Sequence, residues 1–239
     1  MPSRNVPLAA IGCIMACVPS PEERLTIDVP GSGPVSAAYV RPSSPAASLV
    51  LHHGAGAGMD HPFMAGFARA IAAEGVATLR CNFPYIEAGK RTPGREPVAL
   101  DTVRAAFEAA SGRAAAGEPI WVGGKSYGGR MASVAVAEGL AAAGLVFLGY
   151  PLHAPGKPDR LRDEHLYGIA VPMLFLQGAK DPFATAPALE AVLARLSTAT
   201  HVAVEGGGHS LERSRTDDPR DVAGGFAPLV AAFMRGEAI

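Results

Sequence analysis

Trp121-Val122-Gly123-Gly124-Lys125-Ser126-Tyr127-Gly128-Gly129-Arg130 is the stretch on which the fold turns. Its first residues, with Ile120 before them, read as the end of a buried strand. Gly124-x-Ser126-x-Gly128 has the form of a nucleophile elbow, a strand-to-helix turn with an exposed serine at its tip. Small residues on either side let strand and helix approach closely while the serine holds a strained backbone. In a chain with 28 glycines the pattern alone is weak. The flanks strengthen it, because Met131 to Glu138 is rich in Ala and Val and suits a closely packed helix.

Gly-Lys-Ser also ends a phosphate-binding P-loop. That loop needs a glycine five positions before Gly124. Position 119 is Pro119, Gly117 is misplaced, and 120–122 look like strand, so the nucleotide alternative is set aside.

Composition narrows the class. The chain has 239 residues, enough to bury a core without metals or disulfides. A formal net charge of -1 gives no electrostatic case for nucleic acid. Cys13, Cys17 and Cys81 are an odd count, with Cys81 in an expected core strand, so reduced thiols and a cytoplasmic protein are expected. The apolar run 6–18 is too short to span a bilayer and lacks a clear signal cleavage site. Residues 1–22 are expected to be a poorly packed extension, and 23–239 one domain.

Along that domain, alternating or apolar runs predict strands at 25–29, 35–40, 49–52, 76–81, 120–123, 144–148, 171–176 and 200–204. Helical spacing predicts helices at 62–74, 98–116, 127–138, 186–196 and 223–235, with a short polar one at 161–165. Pro- and Gly-rich segments 82–97 and 149–165 read as loops forming a small cap. Strands alternating with helices after an antiparallel pair imply an α/β fold, a mostly parallel sheet with helices on both faces. Ligands of such sheets bind beyond the carboxyl ends of the strands.

The chemistry follows from what lies at those ends. Ser126 needs a base to take its proton, and the base needs a carboxylate to hold its tautomer. Asp181 follows one expected strand and His209 the next, giving the chain order Ser, Asp, His. Asp159 and Asp163 are alternative acids, but they precede a strand. A tetrahedral intermediate needs backbone N–H groups aimed at its oxyanion. Tyr127, just after the serine, and Ala55, in the glycine loop after strand 49–52, are the candidates, with Gly56 next. His53 is read as loop-shaping and His52 as packing at the strand end. The seven histidines form no metal-ligand spacing, so no metal is expected. Arg130 is expected to clamp carbonyls or a carboxylate, and Lys90, Arg91, Arg95 and Lys157 to make the cleft rim basic.

Seven segments carry a wider likeness. They are His53-Gly-Ala-Gly56, Asn82-Phe-Pro-Tyr85 with Gly89-Lys-Arg91-x-Pro93, Gly124-Lys-Ser-Tyr-Gly-Gly-Arg130 and Tyr150-Pro-Leu-His153-x-Pro155. Leu161-Arg-x-x-His165-Leu166, Gln177-Gly-x-x-Asp181-Pro-Phe183 and Gly208-His-Ser210 complete them. The chain resembles the alpha/beta-hydrolase superfamily, and within it the dienelactone-hydrolase-like group that contains the testis-expressed hydrolase-like protein and a histone-acetyltransferase-complex subunit. The resemblance implies Ser126 as nucleophile, Asp181 as acid, His209 as base, and hydrolysis without a cofactor. It makes His53, Gly56, Tyr85 and His153 candidates for substrate binding or loop shaping. Dienelactone hydrolases use a cysteine where this chain has Ser126, which argues against diene lactone itself as substrate.

The expectation is a serine hydrolase, monomeric or homodimeric, acting on a small ester or thioester, with no nucleic-acid or membrane partner. A scaffold protein keeping the fold, and a peptidase for short substrates using the same triad, are the alternatives. A scaffold would show a damaged triad, and the sequence shows none.

Overall fold

The computed structural model describes residues 21–239. The apolar run 6–18, Cys13 and Cys17 lie outside the described residues. In chain order the elements are β1 (Glu23–Val29), β2 (Gly33–Val40), β3 (Ala47–His52), α1 (Pro62–Ala73), β4 (Val76–Cys81), α2 (Pro84–Glu87) and α3 (Glu96–Ser111). They continue with β5 (Ile120–Lys125), α4 (Tyr127–Ala137), β6 (Leu145–Leu148), a 3-10 turn (Glu164–Gly168), β7 (Met173–Gly178) and α5 (Ala186–Leu193). Last come β8 (Ala199–Val204), α6 (Pro219–Gly224) and α7 (Ala227–Met234).

One eight-stranded sheet has the order β1-β2-β4-β3-β5-β6-β7-β8. β1 and β2 pair antiparallel, as do β2 and β4, and all other neighbours are parallel. Side chains on a strand alternate between faces, and both faces here are covered. Leu49, Leu51, Trp121, Val146, Leu148, Leu174 and Leu176 therefore pack with Phe63, Phe67 and Ile71 of α1 and Val230 of α7. Val50, Val122, Leu145, Phe147, Met173 and Phe175 face the other way, toward Ala106 of α3, Ala132 of α4 and Leu189 of α5. A continuous apolar run such as Leu49-Val-Leu is the consequence of burying two faces at once.

Several boundaries differ from the sequence expectation. The expected 82–97 loop contains α2 and the first turn of α3, because Pro84 and Pro97 sit at first-turn positions where no N–H is needed. The 149–165 segment ends in the 3-10 turn, three residues later than the expected helix at 161–165. Pro172 precedes β7 rather than opening it, and its carbonyl accepts from Leu145 N at 2.8 Å. β7 in turn extends to Gly178, which puts Gln177 on a strand. The expected closing helix 223–235 is two helices. Pro228 has no N–H to donate into a continuous ladder, and the chain turns at Gly225-Phe226 before α7 begins.

Close backbone approach fixes how α4 leaves the sheet. A Cβ placed on Gly128 would stand 2.4 Å from the His52 carbonyl oxygen and 2.7 Å from that of His53. Neither obstacle is a flexible side chain. Gly128→Ala is expected to destabilise by about 3 kcal/mol, read as a lower urea midpoint. Gly94→Ala, with nothing within 4 Å of the added methyl, should change stability by less than about 0.5 kcal/mol. Equal effects of the two substitutions would refute the close-approach account.

Candidate active site

Ser126 sits between β5 and α4 with φ 51° and ψ -117°. This is a left-handed φ that costs a non-glycine residue on the order of 1–3 kcal/mol. The turn is held from both sides: Ser126 N donates to Leu148 O at 3.3 Å, and Ser126 O accepts from Arg130 N at 3.0 Å. A Cβ on Gly124 would stand 2.1 Å from the His52 carbonyl oxygen, so the turn presses onto the end of β3. Gly123 to Lys125 is strand, and the Gly-Lys-Ser segment is therefore no phosphate-cradling loop.

His209 and Asp181 come to Ser126 on the loops after β8 and β7. His209 Nε2 is 2.8 Å from Ser126 Oγ. Its Nδ1 is 2.7 Å from Asp181 Oδ2. A carboxylate only accepts, so Nδ1 carries the proton and Nε2 is left to accept from the serine hydroxyl. Asp181 is 2% exposed. Its Oδ1 accepts from Phe183 N at 2.8 Å, and its Oδ2 also accepts from Gln177 Nε2 at 2.5 Å. The Phe183 ring stands edge-on to the imidazole, with centroids 4.6 Å apart. The two loops are tied by Ala179 N to Val204 O at 3.0 Å and Lys180 N to Gly207 O at 2.8 Å.

The other predicted residues fall into place around this chain. A Cβ on Gly54 would be 3.5 Å from Ser126 Cβ, so the glycine loop carrying Ala55 lies against the serine. Tyr127 opens α4, where a backbone N–H has no partner within the helix. His53 is buried with both ring nitrogens engaged: Nδ1 donates to Gly54 O at 2.8 Å and Nε2 accepts from Phe83 N at 3.1 Å. Its role in the structure is to join the glycine loop to the loop after β4. Gly56, at φ 73°, lies beneath the Arg91 carbonyl. Tyr85 packs against Phe83 and His53, and burial pushes its phenol up to about 12. His153 bonds the Ala154 carbonyl at 2.9 Å and lies 6.2 Å, centroid to centroid, from Phe183. Its contacts shape the 149–165 loop. Arg130 Nη1 donates to Glu96 Oε2 at 2.9 Å, clamping α4 to the start of α3. Lys90, Arg91, Arg95 and Lys157 are exposed. Among the described residues no three His, Cys, Asp or Glu side chains could together hold a metal ion. No helix among them is long and apolar enough to cross a membrane.

Two residues at the site escaped the sequence expectation as individuals. Gln177 stood in a loop there, and its bond to Asp181 depends on strand geometry. Lys125 enters the sequence reading within the elbow and P-loop patterns, with no role of its own. Its ammonium lies 5.7 Å from the Phe63 ring centroid, and burial lowers its pKa.

A mostly parallel sheet with an antiparallel start, and a serine, histidine and aspartate joined beyond its strand ends, define an alpha/beta hydrolase fold. The alpha/beta hydrolase domain family matches residues 45–224, and the chain belongs to that family. Among solved structures it is similar to an alpha-beta serine hydrolase homologue from Coxiella burnetii. That match has 17% identity and a TM-score of 0.69, and covers 94% of this chain and 99% of that one. A dienelactone hydrolase from Anabaena variabilis has 20% identity and a TM-score of 0.71, with 92% and 99% covered. A serine hydrolase without a lid from Xanthomonas campestris has 21% identity and a TM-score of 0.66, with 86% and 93% covered. At these identities the likeness is one of fold.

Burial holds the His52 pKa down to about 3 and that of His53 to about 4. Both are neutral in the folded chain, while the unfolded chain takes up protons below about 6.5. Their stabilising contribution is thus complete above pH 6.5 and is lost as pH falls from there toward 4 and 3. The melting temperature is expected to drop through that window, and less steeply in His52→Phe, which removes one titrating group. An unchanged slope in the variant would sink the assignment.

Proposed function

We propose that the protein is a serine hydrolase that cleaves a small ester or thioester through an acyl-Ser126 intermediate. The observation that carries this is the unbroken hydrogen-bond chain from Ser126 Oγ through His209 to the buried Asp181. In the first half-reaction His209 Nε2 takes the hydroxyl proton as Ser126 Oγ attacks the acyl carbon. The oxyanion that forms is held by the N–H groups of Ala55 and Tyr127. His209 then protonates the leaving group, and the acyl group stays on Ser126. In the second half-reaction His209 takes a proton from water, the hydroxide equivalent attacks the acyl carbon, and the acid leaves as the proton returns to Ser126. Asp181 stays ionised throughout and holds the tautomer that each step needs.

The substrate reading is small because the cap is small. It consists of α2 and the loops around it together with the 149–165 loop, segments too short to form a large lid. The lidless Xanthomonas neighbour is a fold-level parallel. Membership of the dienelactone-hydrolase-like group named above is supported by the Tyr150-Pro-Leu-His153 loop together with the elbow. We place the protein in the cytoplasm on its cysteine usage, as a monomer or homodimer acting on a small molecule.

A fluorophosphonate probe should label the wild type and leave Ser126→Ala unlabelled. Asp181→Asn should slow labelling by about a thousandfold or more, because the amide favours the wrong imidazole tautomer. A folded wild type that neither reacts with the probe nor turns over a panel of short esters and thioesters would overturn the proposal.

A further inference from the structure

Gln177 is a buried polar side chain that the mechanism above does not use. It is 2% exposed, on the last turn of pleat of β7, four residues before Asp181. Its Oε1 accepts from the backbone N–H of Tyr150 at 2.8 Å. Its Nε2 donates to Asp181 Oδ2 at 2.5 Å, the same oxygen that receives His209 Nδ1–H. The amide can sit in one orientation alone. Flipped, it would set NH2 against an N–H donor and its carbonyl against a carboxylate. Tyr150 is itself held on several sides: it is fully buried, its ring packs on Phe147 and Phe175, and its hydroxyl lies 3.5 Å from Ser133 Oγ. Gln177 thus carries the rigidity of the core to the carboxylate through two oriented bonds.

We propose that Gln177 is a positioning residue of the hydrolytic site, acting on the reaction through Asp181; this rests on the serine-hydrolase reading above. With its donor in place, the Asp181 carboxylate is held from three directions, by Phe183 N, His209 Nδ1 and Gln177 Nε2. Without it, Phe183 N still holds Oδ1, but Oδ2 keeps His209 as its one side-chain partner and loses its tie to the core, so the imidazole is held less firmly. Space-filling would need only a side chain of this volume, whereas positioning needs a donor facing Asp181 and an acceptor facing Tyr150.

Two variants separate these roles. Gln177→Met keeps the length and volume and removes both polar ends. Gln177→Glu keeps the acceptor for Tyr150 N–H and can donate to Asp181 only while its carboxyl is protonated. Hydrolysis of a short p-nitrophenyl ester and the rate of fluorophosphonate labelling are measured across pH. Gln177→Met is expected to lose about 10- to 100-fold at all pH, the scale of a hydrogen bond to a charged group. Gln177→Glu is expected to work near the wild-type rate at about pH 6. It should fall at least tenfold relative to wild type by about pH 9, as two carboxylates come to face each other. The low-field proton NMR signal of the His209 Nδ1–H should shift or broaden in Gln177→Met, a readout that needs no turnover. Wild-type rates and an unmoved signal in Gln177→Met would overturn the proposal, as would a flat Gln177→Glu to wild-type ratio across pH. If Gln177→Met does not fold, the pH profile of Gln177→Glu decides. A wild type without activity whose His209 signal still moves in Gln177→Met would reject the hydrolase reading and keep the positioning role.

Discussion

The carbonyl of His52 closes β3 at the point where the elbow must pass, and the site depends on how near that passage comes. β3 and β5 pair with His52 opposite Gly124, so the sheet register itself brings the turn to this carbonyl. A methyl group at Gly124 or Gly128 would overlap it, at 2.1 and 2.4 Å. Two glycines on either side of Ser126 are therefore a steric requirement of the register. The same proximity places Gly54, two residues beyond His52, beside the serine. Ser126 and the glycine loop are positioned by one contact. The strained φ of Ser126 costs on the order of 1–3 kcal/mol. That is small against the apolar burial of α4, whose Met131, Ala132, Val134 and Ala135 are all buried.

Charge near the cleft is handled in two opposite ways. Asp181 is buried as an anion, at a desolvation cost of several kcal/mol. Its three donors offset that cost, because a hydrogen bond to a charged group contributes about 1.5–3 kcal/mol. His52 and His53 sit equally deep with no carboxylate bonded to them, and there burial keeps the rings neutral. The difference lies in donors supplied, since depth is the same. His209 stands between these cases, with one nitrogen on the buried anion and the other turned to the serine. Its partial exposure, 19% for the side chain, leaves the ring open to solvent.

Much of this was legible in the sequence, for identifiable reasons. Short apolar runs such as 49–52 and 171–176 mark strands because a sheet covered on both faces leaves few positions polar. Asp181 and His209 stood out because each follows such a run by a few residues, at the end where ligands bind. What stayed hidden depends on contacts between distant segments. Gln177 looked like the start of a loop because one polar residue after an apolar run is ambiguous. Its meaning lies in Tyr150, 27 residues earlier. The clamp between Arg130 and Glu96 spans 34 residues, and no local pattern pairs them, although the need for a carboxylate partner was visible. The break in the closing helix was the more readable miss. Gly224-Gly225 and Pro228 stand in its first half, but the apolar spacing of Ala227 to Met234 outweighs them.

His53 shows how the walls of the cleft are braced without spending its chemistry. An imidazole on the residue before Gly54, which lies against Ser126, could compete for the serine proton. It does not, because Nδ1 is committed to Gly54 O and the lone pair of Nε2 to Phe83 N. These bonds tie the loop after β3 to the loop after β4, while Gly56 packs under Arg91 and Arg130 ties α4 to α3. The bracing reaches each wall through backbone groups or buried side chains. The charged side chains of Lys90, Arg91, Arg95 and Lys157 stand outside it, exposed. The frame that aligns Ser126, His209 and Asp181 is thereby separated from the charged side chains that meet solvent. Substitution of those exposed charges leaves the geometry of the hydrogen-bond chain in place.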